Sequence, residues 1–279
     1  LGKPEDFGEV VLSVRNASNN FIHDINFDLR KGEVLGVAGL QGSGRTELAQ
    51  ALFGVEPFRS GTLTIFGKNT VARQPYKAIK NKMGFVTEDR KSEGIIARQP
   101  IRDNMLLTVR SIRNLFGFTH KDGTPRERKI VPSLGNQVDI RTSSFDREVQ
   151  FLSGGNQQKV VLAKWLASNC QVFIFDEPTR GIDVESKASI HDMIRGLTKQ
   201  GTAVLMISRF FRMRLPFSRV GSEMARGAGR RDSSLSKVSL RRASSTSSRY
   251  TNPSEPRSAS AARMRAMRSS SSSCTGRIP

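Results

Sequence analysis

The sequence predicts an α/β fold with a largely parallel sheet. Three runs are apolar at nearly every position, as expected for strands that are covered on both faces: 34–38, 172–175 and 203–207. Segments with apolar residues at helical spacing lie between or before these runs: 46–53, 156–167 and 190–197. Strands that alternate with helices along the chain favour a parallel sheet packed between helices.

The chain around the first apolar run indicates a small antiparallel β-layer. Residues 10–14 and 25–29 alternate between apolar and polar side chains, which is typical of half-buried strands. Residues 61–67 and 83–87 predict two further strands. We therefore expect a second, smaller sheet beside the parallel one.

A helical subdomain is predicted within the same domain. Residues 103–147 have a weak helical periodicity that is interrupted by breakers such as Pro132. We place this subdomain at about residues 100–165. The sequence shows no internal repeat, so we expect one domain, at residues 9–208, after a polar linker at residues 1–8.

A glycine-rich loop connects the first apolar run to the first predicted helix. Its sequence, GLQGSGRT at 39–46, fits the phosphate-loop pattern Gly-x-x-x-x-Gly-x-[Ser/Thr]. In such a loop the backbone amides point at phosphate oxygens, and the Thr46 hydroxyl is placed to ligate Mg²⁺. Arg45 stands where lysine is usual, which keeps the charge but widens the donor group. The residues predicted to bind nucleotide here are Gly39, Gly42, Ser43, Gly44, Arg45 and Thr46.

Two adjacent carboxylates end the second apolar run. Glycines at the spacing of the loop occur by chance in roughly one chain of this size in ten, so the loop alone does not decide the function. A buried parallel strand avoids adjacent carboxylates unless they meet a metal, hydrogen-bond donors or solvent. We therefore predict that Asp176 holds Mg²⁺, directly or through water, and that Glu177 is the general base for the attacking water. A plain helix cap or a solvated turn is the alternative for this pair.

A third motif, LSGG at 152–155, predicts a second anion site. Ser153 is expected to cap the helix at 156–167, while Gly154 and Gly155 expose the amides of its N-terminus. One phosphate loop does not need a second anion site in the same domain. The motif thus favours a nucleotide shared between two domains, and an ordinary serine-glycine helix start is the alternative.

Taken together, these motifs resemble those of the ATP-binding-cassette family. The phosphate loop, LSGGNQQKV at 152–160 and DEPTRGIDV at 176–184 follow the order found in that family. More narrowly, these segments and TEDRK at 87–91 look like the second cassette of bacterial monosaccharide importers of the ribose, galactose and xylose type. The resemblance covers roughly residues 9–208.

The resemblance implies a site that two cassettes share. Ser153, Gly154 and Gly155 are expected to contact the γ-phosphate of ATP held by the opposite cassette. Gln157 is assigned to the same contact, and Lys159 is expected near the interface.

The resemblance also implies roles for three further positions. Glu88 stands where most cassettes have a glutamine that senses Mg²⁺, Ser208 stands where most have the switch histidine of the catalytic site, and Asp183 lies in the D-loop. Arg45, Glu88 and Ser208 depart from the broad family pattern but agree with the second cassette of sugar importers, so a half-site of low activity is expected. Phe21 is the aromatic nearest to the position for adenine stacking, and we expect it in the core.

Composition limits the cellular setting. Cys170 and Cys274 lie far apart and outside any Cys-x-x-Cys pair, so they suggest neither a zinc site nor a disulfide framework, and a reducing compartment fits best. No apolar run approaches the roughly 18–20 residues that span a bilayer. Any contact with a membrane is therefore expected to be through a partner.

The implied cofactors are ATP and Mg²⁺. The implied partners are a second cassette, membrane permease subunits and, indirectly, a periplasmic sugar-binding protein; no specific nucleic acid is expected. The expected location is the cytoplasmic face of the bacterial inner membrane, as a peripheral protein that forms the second half of a longer polypeptide. Two alternatives stay open: a soluble cassette ATPase of the translation or DNA-repair kind, and a defective remnant that transports nothing.

Residues 209–279 differ from the rest of the chain in composition. They hold 15 Arg and one Lys against three acidic residues, so they carry +13 of the formal net charge of +20. Sequence this rich in Arg and Ser cannot offset its ordering entropy, and we expect disorder. One hypothesis is a shifted reading frame after Ser208; the rival is an encoded basic tail that binds nucleic acid or anionic lipid by charge alone. Without further strands, the apolar face of residues 204–207 is expected to be exposed.

Overall fold

The computed structural model describes residues 7–70, 73–112, 125–208, 217–219 and 239–243. Its strands are β1 (Val10–Ser18), β2 (Ile25–Arg30), β3 (Val34–Ala38), β4 (Ser60–Ile65), β5 (Lys68–Asn69), β6 (Met83–Val86), β7 (Val172–Asp176), β8 (Ala203–Ser208), β9 (Phe217–Arg219) and β10 (Ser239–Ala243). Its α-helices are α1 (Arg45–Phe53), α2 (Pro75–Lys80), α3 (Ile101–Ile112), α4 (Pro125–Gln137), α5 (Gly154–Leu166) and α6 (Val184–Lys199). A π-helix, Arg90–Gly94, follows β6, and a 3-10 turn, Val149–Phe151, precedes α5.

Four strands form an antiparallel sheet in the order β2-β1-β4-β5. It contains the predicted strands at 10–14, 25–29 and 61–67, whereas the predicted strand at 83–87 is β6 of the other sheet. Leu12 of β1 lies opposite Leu29 of β2 and Ile65 of β4, and all three side chains are buried. Strand β1 runs beyond its predicted end because a shift in register between Val14 and Ala17 lets pairing continue past a local irregularity.

The second sheet has the order β6-β7-β8-β3-β10-β9, and its first four strands are parallel. Helix α1 packs against β6 and β7, and α6 packs against β8. The expectation that residues 204–207 would expose an apolar face is wrong, because β8 packs against α6 and β2 as well as its neighbouring strands, and these four residues are at most 1% exposed. The continuous apolar runs are therefore central strands of this sheet.

Helices α3, α4 and α5 pack together where the sequence predicts a helical subdomain. Arg110 of α3 joins the first two helices, since its Nε lies 3.0 Å from a Glu127 carboxylate oxygen of α4. Pro132 lies inside α4 instead of ending a helix. The Thr108 hydroxyl of α3 donates to the Lys164 carbonyl of α5 at 2.7 Å, so α5 is anchored to the subdomain near its C-terminal end.

Two short strands come from residues 209–279. Strand β10 pairs antiparallel with β3 over five residues, and β9 pairs with β10. Such pairing needs only backbone groups, which is why it forms without the apolar spacing that the sequence lacks. The other residues of 209–279 lie outside the described residues, so their disorder stays a prediction. All described residues belong to one unit, Leu1–Thr246. None of the described helices has the length and apolar composition that a membrane crossing requires.

Candidate functional site

The glycine-rich loop lies between the end of β3 and the start of α1. Gly42 and Gly44 have φ values of 78° and 83°, a left-handed conformation that side chains other than glycine rarely adopt. A Cβ on Gly44 would lie 2.7 Å from Cγ2 of Ile22, and one on Gly39 would lie 2.4 Å from Oγ of Ser43. The tight course of the loop therefore depends on these glycines.

Polar atoms in this loop are buried without hydrogen-bond partners. Among the described residues, Oγ of Ser43 and Nη1 of Arg45 have none. No side chain caps the N-terminus of α1, whose cap residue is Gly44. Buried donors and an uncapped helix N-terminus are suited to an anion, and the loop is placed to receive one.

Asp176 and Thr46 form the part of the site that fits a cation. Asp176 is the last residue of β7 and is 1% exposed, and it accepts a hydrogen bond from the Thr46 hydroxyl. Its other oxygen, Oδ2, has no hydrogen-bond partner within the described part of the chain. Burial, together with the charges of Glu88 and Glu177, raises the pKa of Asp176 to about 6 against the lowering effect of Thr46 and Arg45. Carboxylate and hydroxyl oxygens are the ligands that Mg²⁺ prefers, and Oδ2 of Asp176 has no competing hydrogen bond.

Glu177 follows directly and adopts a left-handed conformation, with φ of 44°. Its amide donates to the Ile207 carbonyl at 3.0 Å, which ties the residue to β8. Its Oε1 lies 3.6 Å from Nη1 of Arg45, and its Oε2 accepts from Oγ of Ser208 at 3.4 Å. The structure thus brings together Arg45, Glu177 and Ser208, which the sequence analysis placed in one site. We call residues 39–46 with Asp176 and Glu177 the nucleotide pocket.

Glu88 lies beside this pocket. Its charge contributes to the raised pKa of Asp176, so the two carboxylates are near one another. The Glu88 side chain forms an ion pair with Arg180, which the sequence analysis did not single out. The role of Glu88 at the position that senses Mg²⁺ stays a prediction.

Ser153 caps α5 as predicted, because its Oγ accepts from the Asn156 amide at 3.4 Å. The two glycines that follow are closely covered by other parts of the chain. A Cβ on Gly155 would lie 2.0 Å from Oγ of Ser186, and one on Gly154 would lie 2.7 Å from Nη2 of Arg90. We call residues 152–158 with 180–183 the signature region.

Gln157 and Lys159 do not face outward from the signature region. Gln157 is buried, and its Nε2 donates to the Leu152 carbonyl at 3.2 Å. Lys159 is also buried, and its Nζ pairs with an Asp139 carboxylate oxygen at 2.8 Å. Within this chain the Gln157 side chain holds the turn before α5, and its contact with an opposite nucleotide stays a prediction. Periodicity gives the face of a helix on which a residue lies, but not this contact with a backbone carbonyl.

Asp183 begins α6 as its N-cap. Its two carboxylate oxygens accept from the amide and the hydroxyl of Ser186, each at 2.8 Å. These bonds lower the pKa of Asp183 below its ordinary value. The carboxylate is thus fixed at the edge of the signature region.

Phe21 is not in the core, which corrects the expectation from the sequence. Its side chain is 52% exposed, and the neighbouring Ile22 is the residue that packs against Gly44. Oδ1 of Asn19 accepts hydrogen bonds from the backbone amides of Phe21 and Ile22, which forms an Asx-turn. This turn directs the Phe21 ring outward. The exposed ring therefore precedes a residue that contacts the phosphate loop.

Arg90 is the main residue of the site that sequence reasoning missed. Its Nη1 donates to the Arg180 carbonyl at 2.9 Å, and its Nη2 donates to the Gly181 carbonyl at 3.2 Å. Its membership of the TEDRK segment was the available signal, but a contact across about ninety residues of sequence has no local signature.

The sequence of this chain is similar to those of known proteins. The ABC transporter family profile matches residues 22–180. The chain is 46% identical over 203 residues to a putative ribose/galactose/methyl galactoside import ATP-binding protein 1 of Rhizobium meliloti (strain 1021), covering 72% of this chain and 40% of the relative. It is 43% identical over 204 residues to the ribose import ATP-binding protein RbsA of Bacillus subtilis (strain 168), again covering 72% and 40%. The chain thus spans about two fifths of the length of these relatives.

Solved structures share the fold. The chain resembles the dimeric ATP-binding cassette MJ0796 in a post-hydrolysis state bound to ADP and Pi, with a TM-score of 0.59, 19% identity, and coverage of 71% of this chain and 88% of that one. It also resembles the ADP conformation of the cassette MJ1267, with a TM-score of 0.59, 18% identity, and coverage of 72% and 82%. At such identities the likeness establishes the cassette fold alone.

Proposed function

The chain belongs to the ABC transporter family, and we propose that it is the ATP-binding subunit of a bacterial sugar importer that couples MgATP binding and hydrolysis to carbohydrate import. The observation that carries the ATPase part is the buried, unpartnered oxygen of Asp176 beside the Thr46 hydroxyl and next to Glu177. The names of the relatives, which are ribose and galactose import ATP-binding proteins, support the transport part.

Some residues of the nucleotide pocket are proposed to bind phosphate, and others to hold the metal. The uncapped N-terminus of α1, the Ser43 hydroxyl and Nη1 of Arg45, which is ion-paired with Glu177 but makes no hydrogen bond, supply donors for phosphate oxygens. Thr46 and Asp176 are the residues that would hold Mg²⁺, which supplies positive charge to the reacting phosphates. The lone pair of Asp176 that lacks a donor and its raised pKa both fit a carboxylate awaiting a cation.

Glu177 is the proposed general base. It lies next to Asp176 and is held in place through its backbone by β8 and through its carboxylate by Arg45 and Ser208. In that position it accepts the proton of a water molecule that attacks the terminal phosphate. Ser208 orients the carboxylate by donating to it, which is its proposed share in catalysis.

A second cassette is the proposed partner of the signature region. Leu40 in the phosphate loop and Val184 at the start of α6 are 78% and 82% exposed, so each motif carries an uncovered apolar side chain. A second cassette bound at both motifs would cover these two side chains. Ser153, Gly154, Gly155 and Asp183 are proposed to face the nucleotide of that partner.

A membrane permease is the proposed partner of another surface. Ile96 and Phe151 are exposed apolar residues, and the amide of Gln150 donates to the Ala97 carbonyl at 3.0 Å, which brings the two segments together. Contact of this surface with permease subunits, which receive sugar from a periplasmic binding protein, would place the chain at the cytoplasmic face of the inner membrane. Phe21 is proposed to contact the adenine, because its exposed ring lies next to Ile22 at the phosphate loop.

Substitution of Glu177 tests the catalytic assignment. Glu177→Gln should lower phosphate release from MgATP by at least about 100-fold, because a general base typically contributes that much, while MgATP affinity is kept. Glu56→Gln, at an exposed carboxylate, is the control and should behave as the wild type. Calorimetry for affinity and a phosphate-release assay for turnover give the two readouts. Equal turnover in Glu177→Gln and wild type would remove Glu177 from the mechanism.

A further inference from the structure

We propose that Asn19 is a positioning residue that sets how tightly this chain binds the base half of its nucleotide. It acts through Phe21, so the proposal rests on the proposed function, in which the Phe21 ring contacts the adenine. The proposal is carried by hydrogen bonds that Asn19 makes in two directions, to the turn that holds Phe21 and to the segment that follows α1.

Asn19 closes the turn that carries Phe21. Its Oδ1 accepts from the backbone amides of Phe21 and Ile22, at 2.9 and 3.0 Å. Its own amide donates to the Ile22 carbonyl at 2.9 Å, so Asn19 and Ile22 are bonded twice. These bonds fix the backbone of the 19–22 turn, and with it the direction in which the Phe21 side chain leaves the turn.

The other end of the Asn19 side chain binds the segment after α1. Its Nδ2 donates to the Glu56 carbonyl at 3.0 Å. The neighbouring Ser18 carbonyl accepts from the Arg59 amide at 2.8 Å. The 19–22 turn is therefore attached, directly and through Ser18, to a segment that lies close in sequence to the end of α1.

Helix α1 extends this attachment to the nucleotide pocket. The helix begins at Arg45, in the phosphate loop. The amides of Val55 and Glu56 donate back to the Gln50 carbonyl, at 2.9 and 3.3 Å, so the segment that Asn19 binds is continuous with the helix. The turn is thus bonded to the helix that carries the phosphate-binding residues.

The contrast in burial between Asn19 and Phe21 gives Asn19 this role. Asn19 is 8% exposed, so loss of its acceptor or its donor would leave bonding partners unsatisfied. Phe21 is 52% exposed, so the placement of its ring depends more on the backbone that carries it than on packing around it. A carboxamide accepts and donates at once, which a carboxylate cannot do. Asn19 therefore holds the exposed ring at one place relative to the phosphate loop.

This placement has a consequence for ligand binding. The phosphate groups are assigned to residues 39–46, whereas the base is assigned to the Phe21 ring. Loss of the Asn19 side chain should weaken the binding of a ligand that carries a base, and it should leave the binding of bare pyrophosphate unchanged. A general structural defect would weaken both.

Calorimetry on the full chain with MgADP and with magnesium pyrophosphate tests this. Phe21→Ala and Asn19→Ala should each weaken MgADP binding about tenfold, the usual order for loss of a base stacked on an aromatic ring. Pyrophosphate affinity should stay within about twofold of wild type in both, because neither residue lies in the phosphate loop. The double variant should bind MgADP as Phe21→Ala does, since the two residues act through one contact.

A second variant and a matched control locate the effect. Asn19→Asp keeps an acceptor for the amides of the turn but has no donor for the Glu56 carbonyl, so it should also weaken MgADP binding about tenfold. It decides the matter if Asn19→Ala does not fold by circular dichroism. Asn104→Ala is the control, since Asn104 is 2% exposed and its side chain binds the amide and the carbonyl of Ile96, at 2.7 and 3.1 Å. This variant should keep the wild-type ratio of the two affinities.

Fluorescence follows the ring itself. Trp165 is the one tryptophan in the sequence and is 6% exposed, so the wild type serves as the blank for a Phe21→Trp variant. MgADP should change the fluorescence of Phe21→Trp, and pyrophosphate should not. Addition of Asn19→Asp to this variant should remove the change.

The outcomes separate this inference from the function beneath it. Absence of MgADP binding to the wild type overturns the proposed function and the inference with it. Equal MgADP affinity in Phe21→Ala and wild type removes Phe21 from the base site and overturns the inference, while the phosphate and metal assignments stand. Weaker binding in Phe21→Ala but not in Asn19→Ala or Asn19→Asp overturns the role of Asn19 alone. An equal loss of pyrophosphate affinity in the Asn19 variants, or a changed ratio in Asn104→Ala, overturns it too.

Discussion

The nucleotide pocket and the signature region use the same kinds of residue, but their polar atoms are satisfied differently. In the pocket, buried atoms of Ser43, Arg45 and Asp176 have no hydrogen-bond partner among the described residues. In the signature region, the side chains of Ser153 and Asp183 already accept hydrogen bonds from their own helices.

This difference separates a site that awaits a ligand from a surface that is already ordered. Burial of an unpaired polar atom costs about 1–3 kcal/mol, so three such atoms in one pocket favour a ligand that pairs with them. The signature region has one such atom, Oε1 of Gln157, while the Ser153 and Asp183 side chains are already hydrogen-bonded within the chain. We therefore propose that one chain contains a whole binding pocket and half of a second site.

Substitution of Gly44 should give the largest effect, a loss of MgADP affinity, because Gly44 lies in the nucleotide pocket. Gly44→Ala should weaken MgADP binding roughly 100-fold, because positive φ and overlap with Ile22 together cost about 3 kcal/mol in the loop conformation. Gly196→Ala, in α6 with nothing near its Cβ, is the control and should raise stability by about 0.5–1 kcal/mol. Calorimetry and thermal unfolding measure both. Wild-type affinity in Gly44→Ala would break the comparison.

A smaller effect, on pH dependence, is expected from the buried Lys164 near the C-terminal end of α5. Burial lowers the pKa of Lys164 to about 8, so the folded protein favours the neutral amine. The contribution of the neutral amine to the free energy of unfolding is fully present above the unfolded pKa of about 10.4. It is lost as the pH falls through the folded pKa of about 8. From pH 8 to pH 10 the free energy of unfolding of the wild type, measured in urea, should rise by on the order of 2–3 kcal/mol relative to that of Lys164→Met. Parallel pH curves for the two proteins would show that burial does not disfavour the charged amine.

The smallest effect is expected from Gly155, and it sharpens the separation of the two regions. Gly155→Ala places a Cβ against Ser186 and should lower stability by about 2 kcal/mol, as overpacking does. MgADP affinity should stay within about twofold of wild type, since sites without shared partners act independently. Urea unfolding and calorimetry test this. A large loss of affinity would mean that the two regions are not separate.

The sheet and the pocket were predictable because their signals are local. Continuous apolar runs marked β3, β7 and β8, and the glycine spacing of the loop marked the positive-φ turns at Gly42 and Gly44. The adjacency of Glu177 and Ser208 follows from the pairing of β7 with β8, which parallel strands in one sheet make possible.

The rest depends on contacts between distant segments. The side-chain amide of Gln157 donates to the Leu152 carbonyl, a contact that helical spacing does not indicate. Phe21 has a large apolar side chain of the kind usually found in a core, but the turn at Asn19 leaves it exposed. The bridge from Arg90 to Arg180 joins residues far apart in sequence, and no periodicity encodes it.

Titration of the full chain with ADP, in Mg²⁺ and in EDTA, tests the central claim most directly, with Asp176→Asn alongside. The claim is that one chain contains a complete pocket in which Thr46 and Asp176 hold the metal of the nucleotide. We predict that Mg²⁺ tightens ADP binding at least about tenfold in the wild type and not in Asp176→Asn. Binding that is absent, or equal with and without Mg²⁺ in the wild type, would contradict the claim.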